Sequence, residues 1–180
     1  PNKAGTDGVH GAALGEAGAG LARAGAGALL LATNTMHKVA DELEAASGIP
    51  LLHIADATAT AVRGAGHTRV GLLATAFTME EDFYTGRLRD HGLDVLVPEA
   101  ADRAEVHRII YDELCHDVVE PASRARYVEV VQRLADAGAE AIILGCTEIG
   151  MLIGAEDVPV PVFDTTAIHA AAGVDWLLGG

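Results

Sequence analysis

The stretch Leu21-Ala-Arg-Ala-Gly-Ala-Gly-Ala-Leu-Leu-Leu-Ala-Thr33-Asn-Thr35 aligns without gaps on Leu134-Ala-Asp-Ala-Gly-Ala-Glu-Ala-Ile-Ile-Leu-Gly-Cys146-Thr-Glu148. Each copy has the pattern of a helix end, a Gly turn, a short apolar strand and a polar triplet. A helical stretch, a proline and another apolar run follow each copy. Such a helix ending is also common without duplication, but the matched polar triplets favour an internal repeat.

Short apolar runs alternate with helical spacing along the rest of the chain, which is typical of parallel sheets covered by helices. We predict strands at 28–32, 51–54, 70–74, 95–97, 141–144 and 160–163, and two successive helices at 103–117 and 122–137. The predicted fold class is α/β, with two pseudo-symmetric, Rossmann-like lobes and a site between them. We assign residues 1–68 to the first lobe and 69–164 to the second, with a helix at 165–180 packing back on the first.

Composition excludes several classes of function. The 180 residues carry a formal net charge of -14 and only 12 Lys and Arg, which argues against nucleic-acid binding. No apolar run reaches the roughly 20 residues of a membrane span, and no secretion signal opens the chain, so we expect a cytoplasmic protein with a small-molecule substrate. The spacing of its His and Cys residues predicts neither a metal site nor a disulfide.

Cys146 is the strongest candidate for chemistry. It directly follows a predicted buried strand, and the helix expected after it would lower the pKa of the thiol, so that part of it would be thiolate near neutral pH. A purely structural cysteine is the alternative, but Gly145 leaves room beside it, and Thr147 and Glu148 follow it. Cys115, in contrast, fills an apolar position of a helical pattern, and we interpret it as structural.

Thr33, Asn34 and Thr35 follow the equivalent strand of the first copy. Ligands of open α/β sheets bind at the carboxyl ends of strands, so Thr33 is expected to face Cys146 across a cleft. Asn34 and Thr35 offer hydrogen-bond donors to a carboxylate, although either threonine could serve only as a helix cap. Thr75 ends another predicted strand, and together these turns suit a small anionic substrate.

Other polar side chains have open roles. Glu148 either contacts an ammonium group of the substrate or orients the Cys146 thiol. His37 and His169 tune a neighbour, bind substrate or only pack, which is the usual role of a lone histidine. Three cations are candidates for offsetting an anionic ligand, and the sequence does not choose among them: Lys38, Arg63 and Arg69.

The motif Thr33-Asn-Thr-Met-His-Lys38 together with Gly145-Cys-Thr-Glu-Ile149 resembles the aspartate/glutamate racemase family, most closely its bacterial aspartate/glutamate-specific members. Residues 53–56, 79–84 and 162–169 are also similar. The resemblance implies a homodimer that uses neither pyridoxal phosphate nor metal, with two acid/base residues flanking the substrate α-carbon. It implies Thr33 and Cys146 as that pair, Asn34, Thr35 and Met36 as carboxylate binders, and Thr147 and Glu148 as further substrate contacts.

This sequence departs from the family pattern in two places. Most members have Cys at the position of Thr33, and a hydroxyl is a far weaker acid than a thiol, whose reference pKa is about 8.5. Proton removal is therefore expected to fall to Cys146, with Thr33 delivering a proton and the L-to-D direction favoured. Residues 1–20 also lack the opening strand, turn and helix of the family, so we expect either a preceding segment or a reduced relative.

Two further functions stay open. A one-cysteine relative acting as a malonate decarboxylase or a maleate or hydantoin-type isomerase needs only one thiol to protonate a carbanion. A catalytically reduced homologue would bind a small dicarboxylate without turning it over. The paired motifs around Thr33 and Cys146 favour racemisation of aspartate or glutamate over both.

Overall fold

The computed structural model describes residues 3–179 as parallel strands connected by helices. The strands are β1 (Leu29–Leu30), β2 (Leu51–Leu52), β3 (Arg69–Ala74), β4 (Asp94–Leu96), β5 (Ala141–Gly145) and β6 (Val162–Asp164). The helices are α1 (Lys3–Arg23), α2 (Ala40–Ser47), α3 (Ile54–Gly64), α4 (Ala76–Glu80), α5 (Asp82–Asp90), α6 (Ala100–Asp112), α7 (Pro121–Asp136) and α8 (Thr165–Leu178). Short 3-10 turns span Thr35–Val39, Leu114–His116 and Ile149–Met151.

The strands form two parallel sheets, β1-β2 and β4-β3-β5-β6. Each predicted strand is observed within three residues of its expected ends, and the predicted α/β class with parallel sheets is confirmed. The lobe boundaries at residues 68 and 164 stay predictions, and residues 1, 2 and 180 of those lobes lie outside the described residues. Among residues 3–179, none of the helices has the length and apolar character needed to cross a membrane.

The larger sheet carries most of the core. All five residues of β5 are buried, since helices cover both faces of this central strand, which is why its sequence is a continuous apolar run. Leu72 of β3 and Ile143 of β5 are completely buried. The smaller sheet has its own cluster around Leu29, Leu43 and Leu51.

The internal repeat of the sequence is also a repeat of backbone structure. Gly25 and Gly138 both have positive φ, 96° and 97°, at equivalent turns after α1 and α7. The N–H of Leu29 donates to Pro50 O, and the N–H of the aligned Ile142 donates to Pro161 O, both over 2.8 Å. β1 and β5 are therefore equivalent strands, and Thr33 and Cys146 follow them at equivalent places.

The predicted helix at 103–117 ends earlier than expected. α6 stops at Asp112, and the 3-10 turn at Leu114–His116 leads to Asp117, whose φ of 59° reverses the chain direction. Leu114 is buried in this turn, whereas Cys115 is exposed. The change from helix to turn thus rotates Cys115 away from the core position that its spacing predicted.

Candidate active site

A cavity of about 240 Å³ lies at the carboxyl ends of β1, β3 and β5. Its volume is below the roughly 300–1,000 Å³ of pockets for drug-sized ligands and suits a small substrate. Four groups of residues line it: Thr33, Asn34, Thr35 and Met36 after β1; Thr75 after β3; Gly145, Cys146, Thr147 and Glu148 around the end of β5; and Ile110, Tyr111 and Cys115 from α6 and the following turn. The structure thus brings all eight predicted site residues to one cavity.

Two features of the site disfavour ionisation of the Cys146 thiol. Burial raises the pKa of Cys146 well above its usual range, and the carboxylate of Glu148, which accepts a hydrogen bond from Sγ over 3.0 Å, raises it further. Burial opposes ionisation of Glu148, but hydrogen bonds from Cys146 and Thr147 keep its pKa low. Our expectation of a lowered thiol pKa was wrong, because the segment after Cys146 forms only the short turn Ile149–Met151 and places a carboxylate against the sulfur.

Asn34 is held in the site by a contact to the other half of the repeat. The Thr165 hydroxyl donates to Leu144 O over 2.8 Å, so its oxygen accepts the bond from Asn34 Nδ2, at 3.1 Å. Because Thr165 gives its only hydroxyl proton to Leu144 O, Asn34 must turn its NH₂ group toward Thr165. Asn34 Oδ1 is then left buried without a hydrogen-bond partner among the described residues. The free group of Asn34 is therefore an acceptor, whereas a carboxylate ligand requires a donor.

Three threonine hydroxyls form a cluster beside the cavity. Thr35 Oγ1 lies 3.3 Å from Thr75 Oγ1 and 3.4 Å from Thr78 Oγ1, and the last two lie 3.3 Å apart. A hydroxyl rotates freely and can donate or accept, so each can turn a proton toward a ligand. Thr75 and Thr78 are both buried; Thr35 and Thr75 line the cavity, and Thr78 lies behind them.

The sequence pattern of the Asp/Glu/hydantoin racemase family matches residues 3–173. The chain belongs to this family. The resemblance stated from the paired motifs around Thr33 and Cys146 is confirmed.

Solved structures of other proteins agree with membership of this racemase family. A candidate Asp/Glu racemase from Yersinia pestis is 50% identical, with a TM-score of 0.92. An aspartate racemase homologue from Pyrococcus horikoshii OT3 is 35% identical, with a TM-score of 0.85. Both alignments cover 97% of this chain and 76% of the other. Glutamate racemase from Francisella tularensis, solved with D-glutamate, shares the fold at 18% identity and a TM-score of 0.72, over 96% of this chain and 65% of that one.

One wall of the cavity in this racemase-family chain was missed by sequence reasoning. Ile110, Tyr111 and Cys115 form it, and the interpretation of Cys115 as a buried structural residue was wrong, since its side chain is exposed and lines the cavity. Although Cys115 is exposed, partial desolvation raises the pKa of its thiol, and Glu148 adds to the shift. No local signal marks this wall, because which face of α6 meets the cavity depends on how the helix packs against β3.

The three candidate cations all lie away from the cavity. Lys38 Nζ contacts Glu81 Oε2 over 3.3 Å, Arg63 Nη1 donates to His91 O over 2.7 Å, and Arg69 Nε is 3.1 Å from Asp94 Oδ2. Glu148 is the one Asp, Glu, Lys, Arg or His among the described residues that line the cavity. Within residues 8–179, whose side chains are described, no three His, Cys, Asp or Glu side chains are grouped as metal ligands would be.

His37 and His169 are both buried and do not line the cavity. The ring of His37 contacts the main chain of Thr33, with Nδ1 2.7 Å from its carbonyl oxygen. His169 Nε2 donates to Leu52 O over 2.6 Å, at the end of β2. Among the roles left open for these histidines, the structure supports contact with a neighbouring site residue for His37, and that residue is Thr33.

Proposed function

We propose that this chain racemises aspartate or glutamate without a cofactor, with Cys146 removing and returning the α-proton on one face and Thr33 acting on the other. The observation that carries the proposal is the placement of Thr33 and Cys146 on one small cavity, at the ends of the equivalent strands β1 and β5. Inversion at a carbon requires proton donors and acceptors on opposite faces, and the ends of two equivalent strands on one cavity would supply them.

Substrate binding would activate the thiol. In the free protein the proton stays on sulfur, because burial and Glu148 disfavour the thiolate. A substrate ammonium group beside Glu148 would offset the carboxylate charge and stabilise a thiolate nearby. Cys146 would then take the α-proton as the S–H proton moves to Glu148 or to solvent.

Thr33 would complete the inversion by giving its hydroxyl proton to the opposite face of the carbanion and regaining one from water. A hydroxyl can act as a donor without prior ionisation, but it is a poor base at neutral pH. Abstraction from the Thr33 face is consequently slow. By the family resemblance Cys146 faces the L enantiomer, so at saturating substrate L-to-D turnover should be faster than the reverse, while the equal free energies of the enantiomers keep kcat/KM the same in both directions.

The substrate carboxylates would be held by hydroxyl and main-chain donors. Thr35, Thr75 and Thr147 supply hydroxyls at the cavity, and Met36 packs beside them. Several neutral hydrogen bonds replace the ion pair that a lysine or arginine would form. This arrangement binds a carboxylate without adding a fixed positive charge next to Cys146.

The decisive experiment is deuterium uptake at Cα in D₂O, followed by NMR, for L- and D-aspartate and L- and D-glutamate. At saturating substrate, wild-type protein should incorporate deuterium and form the opposite enantiomer, faster from L. Cys146→Ala should abolish uptake, whereas Cys115→Ala, which removes the other thiol of the same cavity, should retain it. Folded wild-type protein that leaves all four substrates unlabelled would contradict the proposal.

A decarboxylase is the second candidate, because only one of the two facing strand ends carries a thiol. Such an enzyme would use Cys146 to protonate the carbanion left after loss of CO₂ from a malonate. Adding a substituted malonate to the same substrate set separates the two functions. Release of CO₂ without labelling of the amino acids would favour decarboxylation.

A further inference from the structure

His37 connects two strand ends through both nitrogens of its ring. Its Nδ1 lies 2.7 Å from Thr33 O, after β1, and its Nε2 lies 3.3 Å from the N–H of Ile54, after β2. A carbonyl oxygen only accepts and a backbone N–H only donates. The imidazole is therefore neutral, with its proton on Nδ1 donated to Thr33 and with Nε2 accepting from Ile54.

We propose that His37 is a positioning residue that holds the Thr33 main chain so that the Thr33 hydroxyl meets the face of the substrate opposite Cys146. This role rests on the proposed racemase function. His37 is 2% exposed and does not line the cavity, so it acts through Thr33. Proton transfer depends steeply on geometry, and a misplacement of about 1 Å can cost about 100-fold in rate.

The surroundings of His37 keep its ring neutral and in one orientation. Burial lowers the pKa of His37 to about 4, although the bond to Thr33 opposes this shift. The His53 ring packs edge-on at 4.4 Å and the His169 ring at 5.8 Å between centroids. His169 of α8 and Arg87 of α5 are the charged or titratable groups that further disfavour a proton on His37.

A merely structural role predicts a different result from a positioning role. If His37 only stabilised the fold, its loss would lower deprotonation and inversion in proportion. If it positions Thr33, Cys146 still removes the α-proton from the L substrate, but the carbanion is reprotonated from the Cys146 side more often. Labelled L substrate then accumulates at the expense of labelled D product.

The test measures the ratio of D product formed to deuterium incorporated into recovered L substrate, at initial rates in D₂O. His37→Leu removes both bonds and should lower this ratio by about 10- to 100-fold. His37→Asn keeps a donor near the Nδ1 position and should lower it less. His169→Leu changes the packing against the His37 ring without removing a contact to Thr33. It should leave the ratio unchanged, even if it lowers stability.

The outcomes are distinct for the two proposals. An unchanged ratio in folded His37→Leu overturns the positioning role while leaving the racemase function standing. An absence of exchange in wild-type protein overturns the racemase function and this role with it. ¹⁵N NMR of the ring gives an independent check, since a proton on Nε2 of His37 near neutral pH would also overturn the proposal.

Discussion

The Sγ of Cys146 lies 3.0 Å from Oε2 of Glu148 and donates a hydrogen bond to it. The two side chains belong to the same polar triplet after β5, so the contact needs no long-range rearrangement. The bond favours the protonated thiol and fixes the direction of its S–H group. Formation of the Cys146 thiolate therefore requires a change in the charge around Cys146 and Glu148.

Replacing Glu148 by Gln tests that control of the thiol. The carboxylate raises the pKa of Cys146, so its removal should let thiolate absorbance appear at lower pH. Turnover should nevertheless fall, by about 100-fold or more, because the ammonium contact and the oriented acceptor are lost. The same titration in Cys146→Ala gives the thiolate absorbance of Cys115 alone and separates it from that of Cys146. An unchanged Cys146 titration in Glu148→Gln would argue against the contact between Cys146 and Glu148.

Thr165 connects the two halves of the site, and Thr165→Val should weaken the connection between them. The substitution removes one hydrogen bond to Leu144 O and leaves the Asn34 Nδ2 donor unpaired in a buried region, which costs about 1–3 kcal/mol. We expect a lower free energy of unfolding in urea and a lower turnover. Thr165→Ser keeps the hydroxyl and is the matched control. Val and Ser variants of equal stability and activity would show that the bridge contributes little.

Gly145→Ala should damage the site through packing. An added Cβ would lie 2.9 Å from Leu72 Cδ1 and 3.1 Å from Ala74 Cβ, so either the buried Leu72 side chain or strand β5 must shift next to Cys146. Such overpacking costs about 1–3 kcal/mol and should reduce turnover further by moving the thiol. Gly64→Ala, at a helix end with no heavy atom within 4 Å, is the control and should leave both quantities near wild type. Denaturant unfolding and α-proton exchange measure the two effects.

Stability should fall as the solution is acidified below about pH 6.5. Burial lowers the pKa of His37 to about 4 and that of His53 to about 3, below their ordinary value of 6.5. The unfolded chain therefore binds these protons first, and stability that is full above pH 6.5 is lost down to about pH 3 to 4. Burial alone would raise the pKa of Asp56, but Arg87 and His91 bring it to about 2, which extends the loss at lower pH.

The measurement for this prediction is the free energy of unfolding at pH values from 8 to 4, by urea titration at constant ionic strength. His53→Gln should show a shallower decline with falling pH, because one buried titrating ring is absent. A free energy that stays constant between pH 7 and pH 5 would contradict the lowered histidine pKa values.

Local patterns were enough to predict the strands and the principal site segments. The strands are short apolar runs between turns, and the polar triplets at Thr33 and Cys146 lie in copies of one repeat, so neither required knowledge of distant contacts. The same local reasoning failed at Cys115. Its helical spacing predicted burial, but the chain leaves the helix at Asp112 and turns the thiol toward the cavity.

By itself, the amino-acid sequence determined the α/β class, the repeat and the residues that end its equivalent strands, because these depend on hydrophobic periodicity and turn chemistry within a few residues. Only the tertiary structure decided three further features. They are the cavity wall formed by Ile110, Tyr111 and Cys115, the raised pKa of Cys146, and the bond between Asn34 and Thr165, which are 131 positions apart. The burial of Cys146, the packing of α6 beside the cavity and the pairing of Asn34 with Thr165 depend on segments brought together in space, so no local pattern contains them.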